Sequence, residues 1–353
     1  MADRKTRYFI LAAAAVLVGG LCTGLVAYYR GDLSSSLLAR ESSLDDLRYV
    51  PDTATVVAYA DVRAVMDSEF RQRVKKLEHK RHGKNGFRDE TGIDIEQDVD
   101  SVVGCLLPDE AHGKSGFAVL RGRFDAQRVE AAATAHGATA EVYSGRQLYI
   151  AKNERHDEHG SPLAFGFMED GGLLVGQEHA VKLAIDRADS GATGPSSADL
   201  LRLIDEARNE ATVWAVGHPE ALTSHELPGP VAAQVPQIKW FSATSRLNGG
   251  MAATFRAETI DEVAGQNLRD AITGIAALAR MSVGNRQEWQ PVVQSLRVDG
   301  EGTMVNMSVT LPLNVVDKIA NEFGGRQHDM APPAPPPPPR PPAPPAPPSP
   351  PRL

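Results

Sequence analysis

The chain has 353 residues, 42% of them hydrophobic and 23% charged, with a formal net charge of −8 and two cysteines. That composition fits a packed globular chain and excludes one disordered throughout. The acidic balance argues against nucleic-acid binding, and Cys22 and Cys105, far apart and alone, leave no intrachain disulfide and no cysteine metal cluster to expect.

In chain order, the first organising stretch is Tyr8 to Tyr29, 22 residues without a charge. As a helix it would span about 33 Å, against a hydrocarbon core of about 30 Å. Arg4, Lys5 and Arg7 precede it, so the positive-inside rule predicts a signal anchor. Residues 1–7 would be cytoplasmic, 8–29 a single-pass transmembrane helix, and the main domain extracytoplasmic, on the periplasmic side of the cell membrane. A cleaved signal peptide is the alternative, but the apolar run continues five residues past Cys22-Thr23-Gly24, the best small-x-small site. Leu21 before Cys22 speaks against a lipoprotein, and Arg30-Gly31-Asp32 is too short a match to adhesion tripeptides to carry weight. Residues 30–48 read as a juxtamembrane stalk.

The ectodomain then divides into a first half at 49–190, a connecting segment at 191–210 and a second half at 211–326. Ala54 to Val62 is rich in β-branched residues and predicts a strand. Asp67 or Ser68 would cap a helix with Met66, Phe70, Val74 and Leu77 on its apolar side. Strands are predicted at Val99 to Leu107 and Gly116 to Phe124, then a helix capped by Asp125 and stopped by Gly137. A strand at Ala140 to Ala151 and a hairpin turning at Asp170-Gly171 follow. A helix near His179 to Ala188 closes the half, and another, Ala198 to Ala207, lies in the connecting segment. The second half opens with a strand at Ala211 to Val216, and further strands come at Ile238 to Leu247 and Gly250 to Ala257. A long helix covers Thr259 to Met281, with Ile260, Val263, Leu268, Ile272, Ile275 and Leu278 on its apolar face. A hairpin turning at Gly300-Glu301-Gly302 and a last helix, Val315 to Phe323, end it.

The halves repeat. Ala54-Thr55-Val56-Val57-Ala58 answers Ala211-Thr212-Val213-Trp214-Ala215, and the spacings from Val129 to Val181 and from Val263 to Val315 are both 52 residues. The first half is longer by a basic insertion, Arg71 to Arg88, with eight Lys or Arg against Glu78 alone, so the rest of the chain carries −15. Short hairpins with interspersed helices predict α+β: two related halves of largely antiparallel sheet with packed helices, rather than a doubly wound nucleotide fold.

The anchor, the opening YVPDTATVVAYADV, the run TGIDIEQDVDSVV and the later KWFSATSRLNGG together resemble an uncharacterised family of membrane-anchored bacterial envelope proteins. The resemblance covers about Arg48 to Phe323. It implies a duplicated α+β ectodomain and brings no activity, cofactor or binding residue.

Sites of chemistry are sparse. Asp94, Glu96, Asp98 and Asp100 alternate like the start of a calcium loop, but Val99 and Cys105 stand where an EF-hand needs Gly and Glu, so they read as solvated acids at a strand entrance. The pairs His79/His82 and His156/His159 lack further ligands, and no metal is expected. The chain contains no GxSxG, HExxH, Walker or dinucleotide glycine pattern, so no catalytic residue and no cofactor is assigned. Asn306-Met307-Ser308 matches a glycosylation sequon inside a predicted strand. Trp214, Trp240 and Trp289 read as packing residues, and Cys105 as a small buried hydrophobe. Arg71, Arg73, Lys75, Lys76 and Lys80 spread opposite the apolar side of their helix and are the candidate contacts for an anionic partner, a lipid head group or an acidic envelope polymer. Residues 327–353 form a disordered tail: from Ala331 on, 15 of 23 residues are proline, a polyproline arm suited to a protein partner. The expectation is a binding or scaffolding module of the cell envelope, integral to the membrane. A carrier of an apolar ligand or lipid, or a hydrolase without a visible motif, is the alternative.

Overall fold

The computed structural model describes residues 45–78, 86–109, 113–151, 162–219, 229–283 and 289–317. The expected transmembrane helix at 8–29, most of the stalk, both histidine pairs, Lys80 and the proline tail lie outside them. Among the described residues no helix is long and apolar enough to cross a membrane. The longest, with 22 residues, carries Glu262, Arg269, Asp270 and Arg280 and is amphipathic. The expected architecture, a spanning helix followed by two related halves of largely antiparallel sheet, is therefore corrected in its spanning helix. The described body is α+β, built on one continuous antiparallel sheet of twelve strands.

The first half contributes β1 (Val56–Asp61), β2 (Val99–Asp109), β3 (Gly113–Gly122), β4 (Thr139–Tyr143), β5 (Arg146–Ala151), β6 (Leu163–Phe167) and β7 (Leu173–Gln177). The second contributes β8 (Val213–Gly217), β9 (Ile238–Arg246), β10 (Gly250–Thr259), β11 (Arg297–Asp299) and β12 (Met304–Pro312). Across the sheet the order is β11-β12-β10-β9-β8-β1-β2-β3-β7-β6-β5-β4. Read outward from the β1/β8 seam, each half lays down a three-strand meander. It then adds the second strand of a later hairpin before the first. The hairpin β4–β5 is an extension of the first half alone.

The seam has a geometric property of its own. Ala58 pairs with Ala215, flanked by Val57 with Val216 and Tyr59 with Trp214. Ala58 and Ala215 also match in the sequence repeat, so a local two-fold axis passes between them.

The helices are α1 (Val62–Asp67), α2 (Glu69–Glu78), α3 (Gly86–Thr91), α4 (Ile95–Asp98), α5 (Ala126–Ala135), α6 (Glu178–Asp189), α7 (Ala198–Glu210), α8 (Gly229–Ala232), α9 (Glu262–Val283) and α10 (Gln290–Ser295). Residues 313–317 are also helical. Asp61, Asp125 and Ser197 start α1, α5 and α7 by accepting from the backbone N–H of Ala64, Arg128 and Leu200, each such cap worth about 1 kcal/mol. The β6–β7 turn is closed by Gly171 at φ +82°, a left-handed conformation that favours glycine.

Strand alternation sends apolar residues to both faces. On one, Tyr59, Val103, Phe117, Val119, Leu174 and Trp214 pack under α6, α7 and the short 3-10 turn Asp46–Tyr49. On the other, Val56, Val213, Phe241, Phe255, Ala257 and Val305 pack against α1 and α9. Phe241 is 0% exposed; burying such a side chain contributes about 1.5 to 3 kcal/mol.

Two local expectations are corrected. On α9, Leu268 and Ile272 are buried as expected, but the rest of the buried stripe is Ala264, Ala276 and Ala279, while Ile260, Val263 and Leu278 are exposed. Small alanines let the helix sit close to the sheet, and the larger apolar residues are rotated outward. Of the alternating acids, Asp94 and Glu96 are not solvated either. Residues 95–98 are helical, so alternation does not put them on one face, and Asp94 and Glu96 are 7% and 6% exposed. They are neutralised by Arg88 at 2.6 Å and Arg71 at 2.8 Å.

Candidate functional site

The basic residues singled out in the sequence do not form one free surface. Ser68 takes the N–H of Arg71 at 3.1 Å and starts α2 beside the acidic turn α4, where Arg71 meets Glu96 at 2.8 Å. Arg73 pairs with Asp317, beyond the end of β12, and lies 4.0 Å from Glu69. These two cations tie α2 to the body. The backbone of Lys75 and Lys76 continues α2.

A second charged cluster is structural. Arg121 on β3 donates from Nε to both Asp46 carboxylate oxygens at 2.9 and 3.1 Å and pairs with Asp170 at 2.7 Å. Arg48 also pairs with Asp170, and the Tyr49 hydroxyl donates to the same carboxylate at 3.1 Å. Burial pushes the Asp46 carboxyl above its usual range, against the pull of Arg121. Burial also works to raise Asp170, but hydrogen bonds from Arg121 and from the Gly172 backbone, with the charges of Arg121 and Arg48, bring it down to about 2. Each carboxylate has a cation, so the cluster fastens the 3-10 turn Asp46–Tyr49 to the β6–β7 hairpin. Cys105 is 2% exposed and burial raises its thiol, which keeps it protonated and inert. Among the described residues no group of three or more His, Cys, Asp or Glu is placed to hold a metal.

A cleft of about 400 Å³ lies beside the seam, within the usual size range for small-molecule pockets. Tyr59 and Trp214, partners in the β1–β8 register, have ring centroids 5.8 Å apart at 31° and form part of its wall. Arg208 and Glu210 enter from the C-terminal turn of α7, Arg246 from the end of β9, and Asp61 from the end of β1. The seam brings these elements together: β1 ends, β8 starts and β9 ends on the same side of the sheet.

The polar groups of the cleft are unequally satisfied. Glu210 accepts from Arg256 at 3.1 Å, and its carbonyl accepts from Arg246 Nε. Asp61 accepts from the Ala64 N–H at 2.9 Å. Arg208 pairs with Asp205 at 2.9 Å through its terminal nitrogen. By contrast Trp214 Nε1 and Arg208 Nε, both shielded from solvent, meet no acceptor among the described residues. Arg246 has no carboxylate partner among them. Both buried donors belong to residues that line the cleft, but the atoms themselves have no solvent contact and so do not open onto it; buried donors without acceptors are costly and uncommon.

Sequence reasoning missed this site. Trp214 stood out only as a packing residue, and it does pack, being 3% exposed. Its meeting with Tyr59 depends on strands more than 150 residues apart, and the orphaned N–H groups become visible only once every neighbour is placed. The repeat ATVVA/ATVWA was the one available signal, because it marks β1 and β8 as equivalent strands. No protein-family model matches the chain, and no curated protein or solved structure matches it either.

Proposed function

We propose that the protein is a binding or scaffolding module whose ligand occupies the cleft beside the seam. Its setting in the cell envelope rests on the sequence resemblance alone. The observation that supports binding is the cleft itself, about 400 Å³ and lined by side chains from β1, α7, β8 and the end of β9. The mixed lining, with Arg, Glu and Asn among its residues, suits a small polar ligand or a peptide segment better than an acyl chain.

A ligand-observed NMR screen of small polar fragments against the full chain tests this reading. Ala64 lines the cleft and is exposed, so Ala64→Trp fills it from outside the core. Fragments that bind the unmodified protein should lose at least about tenfold in affinity to this variant. Retained binding would place the ligand elsewhere and overturn the reading.

A further inference from the structure

We infer that the outer face of α9 is a self-association surface, on which a second copy of this chain seats its own α9 antiparallel. The inference is independent of the cleft. Seven large apolar side chains are exposed among the described residues, and four of them lie on α9 or lead into it: Ile260 at 49%, Val263 at 69%, Leu278 at 53% and Met281 at 78%. At 3.6 residues per turn, Val263, Asp270, Gly274, Leu278 and Met281 fall along one stripe, about 27 Å long from Val263 to Met281. Exposed apolar side chains gathered in this way mark an interaction surface.

The occupant follows from the charges and from Gly274. Asp270 and Arg280 are both exposed. Asp270 accepts from Gln266 at 2.8 Å and Arg280 donates to the Leu296 carbonyl at 2.9 Å, and neither has an ion-pair partner among the described residues. With the helices antiparallel and a two-fold axis crossing the stripe between Ile275 and Ala276, position 270 of one copy lies level with position 281 of the other. Each Asp270 then meets the other copy's Arg280, and symmetry makes the contact twice. A parallel pair would instead set Asp270 against Asp270 and leave both cations unmatched. Gly274 supplies the fit. It is exposed in mid-helix, where glycine is destabilising relative to alanine. An added Cβ would meet nothing within 4 Å, so packing within the chain does not call for a glycine there. In the antiparallel pair Gly274 lies level with position 277 of the other copy, whose Leu278 covers the gap left by the missing side chain.

Sedimentation equilibrium of the full chain, kept reduced so that Cys22 cannot link copies, tests the pairing. The chain should dimerise with a Kd below about 100 μM, more weakly at high salt. Gly274→Leu enlarges the apolar patch but blocks the close approach. It should weaken dimerisation at least about tenfold without lowering the unfolding temperature of the monomer. Asp270→Arg and Arg280→Asp should each weaken dimerisation about fivefold through two repulsive contacts, and the double variant should restore it, because the pair is then only reversed. A chain that stays monomeric up to about 200 μM overturns the inference and leaves the face to a different partner. Dimerisation that Gly274→Leu strengthens is undirected apolar adhesion, and dimerisation that no variant moves runs through another surface. Either result overturns the inference, as does a double variant no stronger than the single ones.

Discussion

The two halves of the sheet share a backbone plan and differ in chemistry. At equal steps from the seam axis, on the face covered by α6 and α7, the first half presents the pairs Cys105–Phe117 and Val103–Val119. The second half presents Thr244–Thr254 and Ser242–Arg256. One strand further out, Val119 meets Leu174, whereas Arg256 meets Asn306. The first half is thus closed by apolar contact beneath α6, and on the second the same strand positions are polar, Ser242 and Thr244 buried and Thr254, Arg256 and Asn306 partly exposed. Strand order follows from hydrogen bonding and connection lengths, which two related sequences can share. Side chains on one face are free to diverge without disturbing it. The cleft lies where the two chemistries meet.

Exchanging the chemistry across the axis gives the largest expected effect. Leu174 is 0% exposed; replacing it with the residue its counterpart carries, Leu174→Asn, loses apolar burial and buries an amide without partners. Urea denaturation should show a loss of about 4 kcal/mol. The reciprocal Asn306→Leu should change stability by less than about 1 kcal/mol. Equal effects would mean that the two faces are not chemically distinct.

The next test concerns how each half is fastened. The first half is held by the buried Arg121–Asp46 pair, with side chains 13% and 1% exposed; the second uses the more exposed Arg256–Glu210 pair, at 32% and 38%. Arg121→Ala should cost about 3 kcal/mol because it leaves the Asp46 carboxylate buried without its cation. The loss should shrink under acid, where the stranded carboxyl takes up a proton. A cost no larger than that of a surface pair would erase the contrast.

Asp170 gives the smallest effect and carries a pH signature. Its carboxyl is held at about 2 against an ordinary 3.8, so the folded state favours its ionised form. The stabilisation is therefore fully present above pH 3.8 and is lost as the pH falls through about 2. Asp170→Asn should lower stability by about 1 kcal/mol at neutral pH, a figure discounted for partial exposure. The gap between variant and parent should close between about pH 4 and pH 2. A gap independent of pH would mean that Asp170 acts through hydrogen bonding alone.

Much of the fold was legible in the residues. The β-branched run at 56–60, the Asp170-Gly171 turn and the hairpin at Gly300 to Gly302 follow from local rules that hold whatever surrounds them. What was not legible depended on partners distant in sequence. Nothing in Asp94 or Glu96 announces that Arg88 and Arg71 neutralise them. Nothing in the apolar pattern of α9 says that its alanines, rather than Val263 and Leu278, face the sheet. The seam could not be read at all, because a repeat shows that two strands are alike without showing that they pair with each other. The cleft inherits that difficulty, since its wall is the Tyr59–Trp214 step of that register.

The seam also shapes how the chain is made. β1 is the first strand to leave the ribosome, and its partners β2 and β8 lie on opposite edges. β2 covers one edge early, but the other stays open until the segment after residue 212 has emerged. Through that interval the growing chain carries Val56 to Asp61 as an unpaired edge, the kind of edge that invites pairing with another chain. A central strand of the finished sheet is therefore an edge strand of the unfinished one.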